Sequence, residues 1–141
     1  EQHLYRLTLA TGEITKITKE EGWHHLSIPV SAKVYIDSYS NPMQPTQVSL
    51  RSIDGTLITY IEENLLNSKH PLQPYHGNFS IPEFGSFKSK EGTEFYYSLL
   101  KPKNFTEGKK YPVVVDVYGG PNYQKVKKNW AGKYANQFAG N

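Results

Sequence analysis

Residues 23–61, WHHLSIPVSAKVYIDSYSNPMQPTQVSLRSIDGTLITYI, carry the pattern that decides the fold of this chain. Polarity alternates along these residues with a period of two, which predicts β-strands. Polar turns separate the strands, and Asp54-Gly55 is the strongest hairpin signal among them. We expect Asn41-Pro42 and Pro45 to interrupt the pattern. Four strands are therefore predicted: Trp23–Val30, Val34–Tyr39, Thr46–Arg51 and Leu57–Ile61.

The segment before this stretch has the same alternation. Leu4–Leu9 and Glu13–Thr18 read as two strands, with Thr11-Gly12 as the turn between them. Four short strands joined by tight turns are typical of one β-propeller blade, and the preceding hairpin then forms the outer edge of the neighbouring blade. A β-sandwich gives a similar string of strands, and periodicity alone does not separate the two folds.

Composition narrows the class of protein. The chain has 141 residues, enough for one domain or for adjoining parts of two. Eleven tyrosines and 13% aromatic residues favour β-structure and argue against disorder. The net charge of +3 comes with no nucleic-acid motif, so we predict no nucleic-acid partner. Cysteine is absent, which excludes disulfides and thiolate metal sites. No apolar run approaches the roughly 20 residues of a membrane span.

The chain divides into three parts by residue type. Residues 1–64 form the β-rich part, which we assign to the C-terminal end of a propeller. Residues 65–82 contain three prolines and are predicted to be an interdomain linker, after a helical turn at Glu62–Leu66. Residues 83–141 begin a second domain, with strands at Glu83–Lys88 and Glu94–Lys101 around a turn at Lys90-Glu91-Gly92. The sequence opens on Glu1 within a strand pattern, so we expect an excised part of a longer protein.

The run from Tyr111 to Val117 is the most distinctive segment of the second domain. It is rich in valine and almost continuously apolar, which predicts a strand buried on both faces, as in the central sheet of an α/β protein. Gly119-Gly120-Pro121 follows and allows a sharp reversal with close approach of the backbone. A helix is expected to begin at Trp130 and to run toward Phe138.

The residues of a complete hydrolytic site are missing from this sequence. A serine hydrolase of the α/β type needs a Gly-x-Ser-x-Gly turn followed by an acid and a histidine, and no such pentapeptide occurs. All five histidines precede the Gly-Gly loop, which is the wrong order for that fold. The adjacent His24 and His25 face opposite sides of a strand and cannot hold one metal ion, so we assign them to the surface. We therefore expect no hydrolysis by this chain alone, and no cofactor or metal.

Tyr118 is the candidate catalytic residue. It stands at the end of the predicted buried strand, next to Gly119, Gly120 and Pro121, which shape the loop. In α/β-hydrolases a loop after an early buried strand contributes to the oxyanion hole. A phenol is a neutral donor suited to that role. The alternative is a strand-end tyrosine that packs its ring on the core.

The stretch Lys109–Pro121 (KKYPVVVDVYGGP) resembles the start of the hydrolase domain in the dipeptidyl peptidase IV branch of the prolyl oligopeptidase family. Shorter matches are similar to the link from propeller to hydrolase domain in that branch: His70-Pro71-Leu72, Pro82–Gly85, Leu100–Phe105 and Asn129–Gly132. The Thr11-Gly12-Glu13 turn resembles the hairpins of these propellers. The resemblance implies a mainly β fragment, in which the last propeller blade joins the first strands of an α/β-hydrolase domain.

The same resemblance implies a function for the parent protein. Members of this branch are serine exopeptidases that release dipeptides with proline or alanine in second position, through an acyl-enzyme and without a metal. Tyr118 occupies the position of the family's oxyanion donor, and the triad would lie after Asn141. A peptide substrate and a homodimer are implied. Many bacterial relatives are exported, which points to a periplasmic or secreted parent.

Two other functions stay open from the sequence. A self-sufficient β-rich binding module would use the Tyr-Gly-Gly loop only as a turn. A non-catalytic homologue would have lost the nucleophile. Unpaired sheet edges also invite pairing between chains, so self-association is expected.

Overall fold

The computed structural model describes residues 1–77 and 80–130, and these are mainly β, as predicted. The elements in chain order are β1 (Tyr5–Thr8), β2 (Glu13–Lys16), β3 (Trp23–Ser27), β4 (Val34–Asn41), β5 (Gln44–Ser52), β6 (Leu57–Glu62), α1 (Gln73–His76), β7 (Glu83–Lys88) and β8 (Glu94–Leu99). The expected helix from Trp130 toward Phe138 falls on residues 131–138, which lie outside the described part. Along the described residues, no helix has the length and apolar character needed to span a membrane.

Two compact units share these elements. The first comprises residues 1–74 with 128–130, and the second comprises residues 75–127. The division falls inside the predicted linker 65–82, whereas residues 128–130 belong with the first unit. The domain bounds 1–64, 65–82 and 83–141 themselves stay a prediction.

The first unit contains a four-stranded antiparallel sheet in the order β3-β4-β5-β6. All four strands predicted from residues 23–61 are formed. The expectation that Pro45 interrupts the pattern is wrong, because β5 begins at Gln44 and includes Pro45. The β4–β5 register shifts between Tyr39 and Asn41, opposite this proline. An irregularity of this kind leaves room for a residue that cannot donate a ladder hydrogen bond.

A separate hairpin, β1–β2, precedes the sheet, as the alternation of Leu4–Thr18 predicted. The turn closes where Gly12 N donates to Thr8 O at 2.8 Å. Gln2 then forms a parallel bridge with Trp23 at the start of β3. The hydroxyl of Thr18 accepts a hydrogen bond from Leu4 N at 3.0 Å, and this side chain is almost fully buried. Residues at the open end of the hairpin therefore connect it to the four-stranded sheet.

The buried face of the sheet is unusually polar. Tyr35 and Asp37 of β4 and His24 of β3 have no exposed surface, and Ser49 of β5 is 2% exposed. Strand alternation puts Ile36 on the other face, where it is 37% exposed. The assignment of both histidines to the surface is wrong for His24, since only His25 is exposed. The two side chains do lie on opposite faces, as expected.

His24 is held by two hydrogen bonds. Its Nδ1 lies 2.8 Å from Asp37 Oδ2, and its Nε2 lies 2.9 Å from the carbonyl oxygen of Glu20. Burial opposes protonation of the ring, but the bonds to Asp37 and Glu20 outweigh it and raise the pKa of His24 above its usual 6.5. Because both partners are acceptors, the doubly protonated ring satisfies both contacts at once.

Arg51 of β5 extends this pair across a third strand. Its Nε lies 3.6 Å from Asp37 Oδ2, and its Nη2 donates to Glu20 Oε1 at 3.2 Å. Nη1 donates to the carbonyl oxygen of Gly55 at 3.1 Å, in the β5–β6 turn. One polar network thus joins β3, β4, β5 and the turn that leads to β6.

The segment after β6 differs from the predicted helical turn at Glu62–Leu66. Asn64 has a left-handed φ of 45°, and no helix forms there. The Asn64 side chain instead donates to the Thr46 carbonyl at 2.9 Å and accepts a contact from His70 Nε2 at 2.9 Å. A helical turn lies later, at Gln73–His76. The polar contacts of Asn64 hold the chain in a reversal that a helix would break.

The second unit consists of the β7–β8 hairpin and a long irregular segment. Both strands and the turn at Lys90-Glu91-Gly92 match the prediction. The predicted strand Tyr111–Val117 does not form, and Val113, Val114, Val115 and Val117 are 76–84% exposed. A strand of this kind needs neighbours for its backbone hydrogen bonds and cover for both faces. In the described part of the unit, β7 and β8 pair only with each other.

We predict that the stability of the first unit decreases as the pH rises through the pKa of folded His24. The pKa is higher in the folded state than its usual 6.5, so the folded state binds more protons between the two values. The free energy of unfolding is then largest below about pH 6.5 and falls as the pH rises above it. Urea denaturation at a series of pH values measures this slope.

His24→Gln is expected to flatten the slope, and His25→Gln on the exposed face of the same strand is expected to keep it. Equal slopes for the wild-type chain and His24→Gln would contradict the assignment.

We predict that Gly55→Ala destabilises the chain more than Gly12→Ala. Both glycines have left-handed φ values, 95° and 72°, so alanine carries a backbone cost of about 1–2 kcal/mol at each. A Cβ at Gly55 would also lie 2.9 Å from the carbonyl oxygen of Ile17, whereas nothing lies within 4 Å at Gly12. The additional clash is expected to cost about 1–3 kcal/mol. Urea denaturation measures the free energy of unfolding of the two variants. An equal decrease in both would mean that the turn at Gly55 can shift to accommodate the added methyl group.

Candidate functional site

The predicted loop Tyr118–Pro121 lies in the second unit, between the irregular valine segment and a turn. Tyr118 is 57% exposed, so it does not pack its ring into a core. Asn122, directly after the loop, has a left-handed φ of 62° and reverses the chain. Asparagine tolerates this conformation better than most residues other than glycine. The loop therefore presents the phenol of Tyr118 at the surface of the unit.

Gly120 provides space for the phenol. A Cβ on Gly120 would collide with the Tyr118 hydroxyl oxygen and would lie 2.5 Å from its Cζ and 2.8 Å from its Cε1. Apart from the two residues next to it in the chain, nothing lies within 4 Å of a Cβ on Gly119. A side chain at residue 119 therefore has open space around it, whereas one at residue 120 would meet the ring of Tyr118.

The ring of Tyr118 also meets the ring of Tyr123. Their centroids are 5.1 Å apart, and the rings are inclined at 74° in an edge-to-face arrangement. Lys127 Nζ lies 5.2 Å from the centroid of the Tyr123 ring, in a cation–π arrangement. The sequence analysis did not identify Tyr123, because nothing in a tyrosine five residues after another signals contact in an irregular segment.

The two sides of the loop are joined by an ion pair between Asp116 and Lys125. Asp116 precedes the loop and Lys125 follows it, so the pair closes a short segment around Tyr118. Both side chains are partly exposed, which limits the energy of the pair to about 1 kcal/mol or less. The pair restricts the span of the loop and supplies little stability.

The arrangement offers one chemical capability, donation of a hydrogen bond by an exposed phenol to a ligand oxygen. Gly119, Gly120 and Pro121 supply no side-chain donor, so Tyr118 is the group of the predicted site that can interact with a substrate. Within residues 1–77 and 80–130, no three His, Cys, Asp or Glu side chains are grouped as a metal would require. Of the predicted site, the structure brings Tyr118 and Gly120 into contact.

A concavity lies in the first unit beside the His24 network. Its volume is about 220 Å³, and Arg51 and Glu20 face each other across part of its lining. The full lining comprises Ile17, Lys19, Glu20, Arg51, Asp54, Gly55 and Thr56. Asp54 also has a partner within the turn: its Oδ1 accepts a hydrogen bond from Thr56 N at 2.9 Å. These contacts stabilise the hairpin turn, and we assign no ligand to the concavity.

Comparison with known proteins shows that the chain is similar to dipeptidyl peptidases. Residues 1–46 match the family described as the dipeptidyl peptidase IV (DPP IV) N-terminal region. Human dipeptidyl peptidase 8 is 35% identical over 139 residues, which cover 94% of this chain and 15% of the relative. A probable dipeptidyl peptidase 4 of Emericella nidulans is 31% identical over 134 residues, covering 92% of this chain and 17% of the relative.

A solved structure agrees with these relatives. The crystal structure of Porphyromonas gingivalis dipeptidyl peptidase 4 superimposes with a TM-score of 0.75 at 26% identity, covering 92% of this chain and 18% of that chain. The resemblance recognised in the sequence is confirmed. The chain spans less than a fifth of the length of each of these relatives.

We predict that Gly120→Ala displaces the ring of Tyr118 and that Gly119→Ala leaves it in place. The added methyl group would overlap the phenol at residue 120, whereas at residue 119 it would meet nothing beyond the two adjacent residues of the chain. Nuclear Overhauser contacts between the ring protons of Tyr118 and Tyr123 report the geometry. These contacts are expected in the wild-type chain and in Gly119→Ala, and to be lost in Gly120→Ala. Their survival in Gly120→Ala would contradict the described loop.

Proposed function

We propose that this chain, which belongs to the dipeptidyl peptidase IV family, is part of a serine-type exopeptidase that removes dipeptides from peptide N-termini. Proline or alanine would occupy the second position of the substrate. Tyr118 would donate a hydrogen bond to the oxyanion, and the nucleophile, its acid and its histidine would come from the rest of the parent protein. The observation that carries the proposal is the surface-exposed phenol of Tyr118, which lies against Gly120. The resemblance of Lys109–Pro121 to the start of the family's hydrolase domain supports the donor role.

The chemistry assigns a limited but important role to this chain. A serine hydroxyl attacks the scissile carbonyl and loses its proton to a histidine, and negative charge develops on the carbonyl oxygen. A donor aimed at that oxygen stabilises the transition state more than the substrate, because the charge is absent in the ground state. Collapse of the intermediate expels the amine, which takes the proton back from the histidine, and water then releases the dipeptide. Tyr118 would act each time the oxyanion forms.

The local structure supports this role in two ways. Among the described residues, the hydroxyl of Tyr118 makes no hydrogen bond, and the residue is more than half exposed. The ring also has a defined seat against Gly120 and Tyr123. A donor that is accessible and already oriented gains more in the transition state than one that must be ordered first.

A self-sufficient binding module fits this chain less well. Four valines between residues 113 and 117 are at least 76% exposed. In an independent module, this apolar surface would be unfavourably exposed to water and would serve no function. A segment that packs against further strands of a larger protein explains them more directly. A non-catalytic homologue has the same Tyr118 loop, and activity of the parent distinguishes it from a peptidase.

The exposed valine segment also supports the expectation of self-association. An apolar, unpaired segment of high β-propensity can pair with a copy of itself. A homodimer of the parent remains part of the proposal. Sedimentation of the chain across a concentration series distinguishes a monomer from associated species.

We predict that Tyr118→Phe in the parent enzyme lowers kcat for a Gly-Pro chromogenic amide by roughly a hundredfold or more, with KM little changed. The variant removes one donor to the oxyanion, and loss of such a donor costs about 2.7–4 kcal/mol in the transition state. Steady-state kinetics separate the two constants.

Tyr96→Phe is the matched control. Its hydroxyl lies on the exposed β8 strand and donates to Glu94 at 3.1 Å, so its removal is expected to leave both constants unchanged. An active parent that tolerates Tyr118→Phe would refute the oxyanion role and keep the peptidase. An inactive parent would favour the non-catalytic homologue.

A further inference from the structure

The loop after Gly120 returns a second aromatic ring to Tyr118. Pro121 and the left-handed Asn122 turn the chain, and residue 123 then lies beside residue 118. The ring centroids of Tyr118 and Tyr123 are 5.1 Å apart at an interplanar angle of 74°. Edge-to-face pairs at this separation are favourable beyond the area that they bury.

Contact with Tyr123 matters because Tyr118 is exposed. Its side chain can rotate among three staggered positions about χ1, and an exposed ring has little packing to select one of them. The seat on Gly120 permits the observed position but does not hold the ring there. Tyr123 supplies a contact that favours this rotamer.

Tyr123 is itself restrained. Lys127 Nζ lies 5.2 Å from the centroid of its ring, so a cation covers one part of that ring. Gln124 Nε2 donates to the carbonyl oxygen of Val126 at 3.1 Å and holds the backbone between Tyr123 and Lys127 in a compact shape. The Asp116–Lys125 pair closes the same segment. These local contacts restrain Tyr123, which can therefore support the ring of Tyr118.

We propose that Tyr123 is a positioning residue for the oxyanion donor: its ring holds the phenol of Tyr118 in the orientation that donates to the oxyanion. This inference rests on the proposed oxyanion role of Tyr118. Tyr123 does not touch the reacting atoms in this assignment. Its ring supplies the contact, and its hydroxyl is dispensable.

The test is a double-mutant cycle in the full parent enzyme with a Gly-Pro chromogenic amide. Tyr123→Leu removes the aromatic ring and keeps apolar bulk, and it is expected to lower kcat about two- to tenfold with KM little changed. Tyr123→Phe retains the ring and is expected to have the wild-type kcat. In a Tyr118→Phe background, Tyr123→Leu is expected to have no further effect, because the donor that it positions is absent.

The outcomes test the positioning role of Tyr123 separately from the oxyanion role of Tyr118. A wild-type kcat in Tyr123→Leu, or an equal loss in both backgrounds, would overturn the positioning role, and the second result would mean a general structural effect. A strong Tyr118→Phe defect with a silent Tyr123→Leu would refute positioning alone. A silent Tyr118→Phe in an active enzyme would refute the oxyanion role, and the positioning role with it.

A second variant keeps the test valid if Tyr123→Leu is misfolded. The thermal unfolding midpoint of each variant is measured first, and Tyr123→Met replaces Tyr123→Leu in the cycle if the latter is destabilised. Methionine fills the volume flexibly without an aromatic ring, so the same loss of kcat is expected. A wild-type kcat in a folded Tyr123→Met enzyme would equally overturn the proposal.

Discussion

The buried pair of His24 and Asp37 is the interaction on which the first unit depends. It links the adjacent strands β3 and β4 at 2.8 Å, and both side chains are fully buried. Among the described residues, Ile17 and Tyr35 form the buried hydrophobic core, whereas six polar or charged residues are buried. Removing one member of a buried charged pair typically costs about 3–5 kcal/mol, because the other is left uncompensated. The sheet therefore depends on polar groups that must satisfy one another.

Arg51 turns this pair into a network that also fixes the connections between strands. It contacts Asp37, Glu20 and the carbonyl of Gly55, which lie in β4, before β3 and after β5. The geometry of the β5–β6 turn is thereby coupled to the histidine on β3. Such networks specify one strand register, since a shift of one residue would separate Asp37 from both His24 and Arg51.

In the second unit, two tyrosine rings pack against glycines. In the β7–β8 hairpin, a Cβ on Gly85 would lie 2.5 Å from the hydroxyl oxygen of Tyr97. The phenol of Tyr118 lies against Gly120 in the same way. In both places the absence of a glycine side chain leaves room for the tyrosine ring. For Tyr118, this seat and the neighbouring Tyr123 connect the local chain geometry to the chemistry proposed for the parent enzyme.

The sequence by itself determined the eight strands that form, the glycine turns of three of the five hairpins, and the resemblance to dipeptidyl peptidases. Alternating polarity and the left-handed glycines Gly12, Gly55 and Gly92 are local signals, and local signals can be recognised without knowing what packs where. The motif around Tyr118 likewise depends on residue order alone. Tertiary structure decided the rest: that His24 is buried, that Pro45 fits within β5, that Tyr123 meets Tyr118, and that the valine run forms no strand here. The physical reason is that burial, register and strand formation depend on partners distant in sequence, and a period of two does not say which face those partners cover.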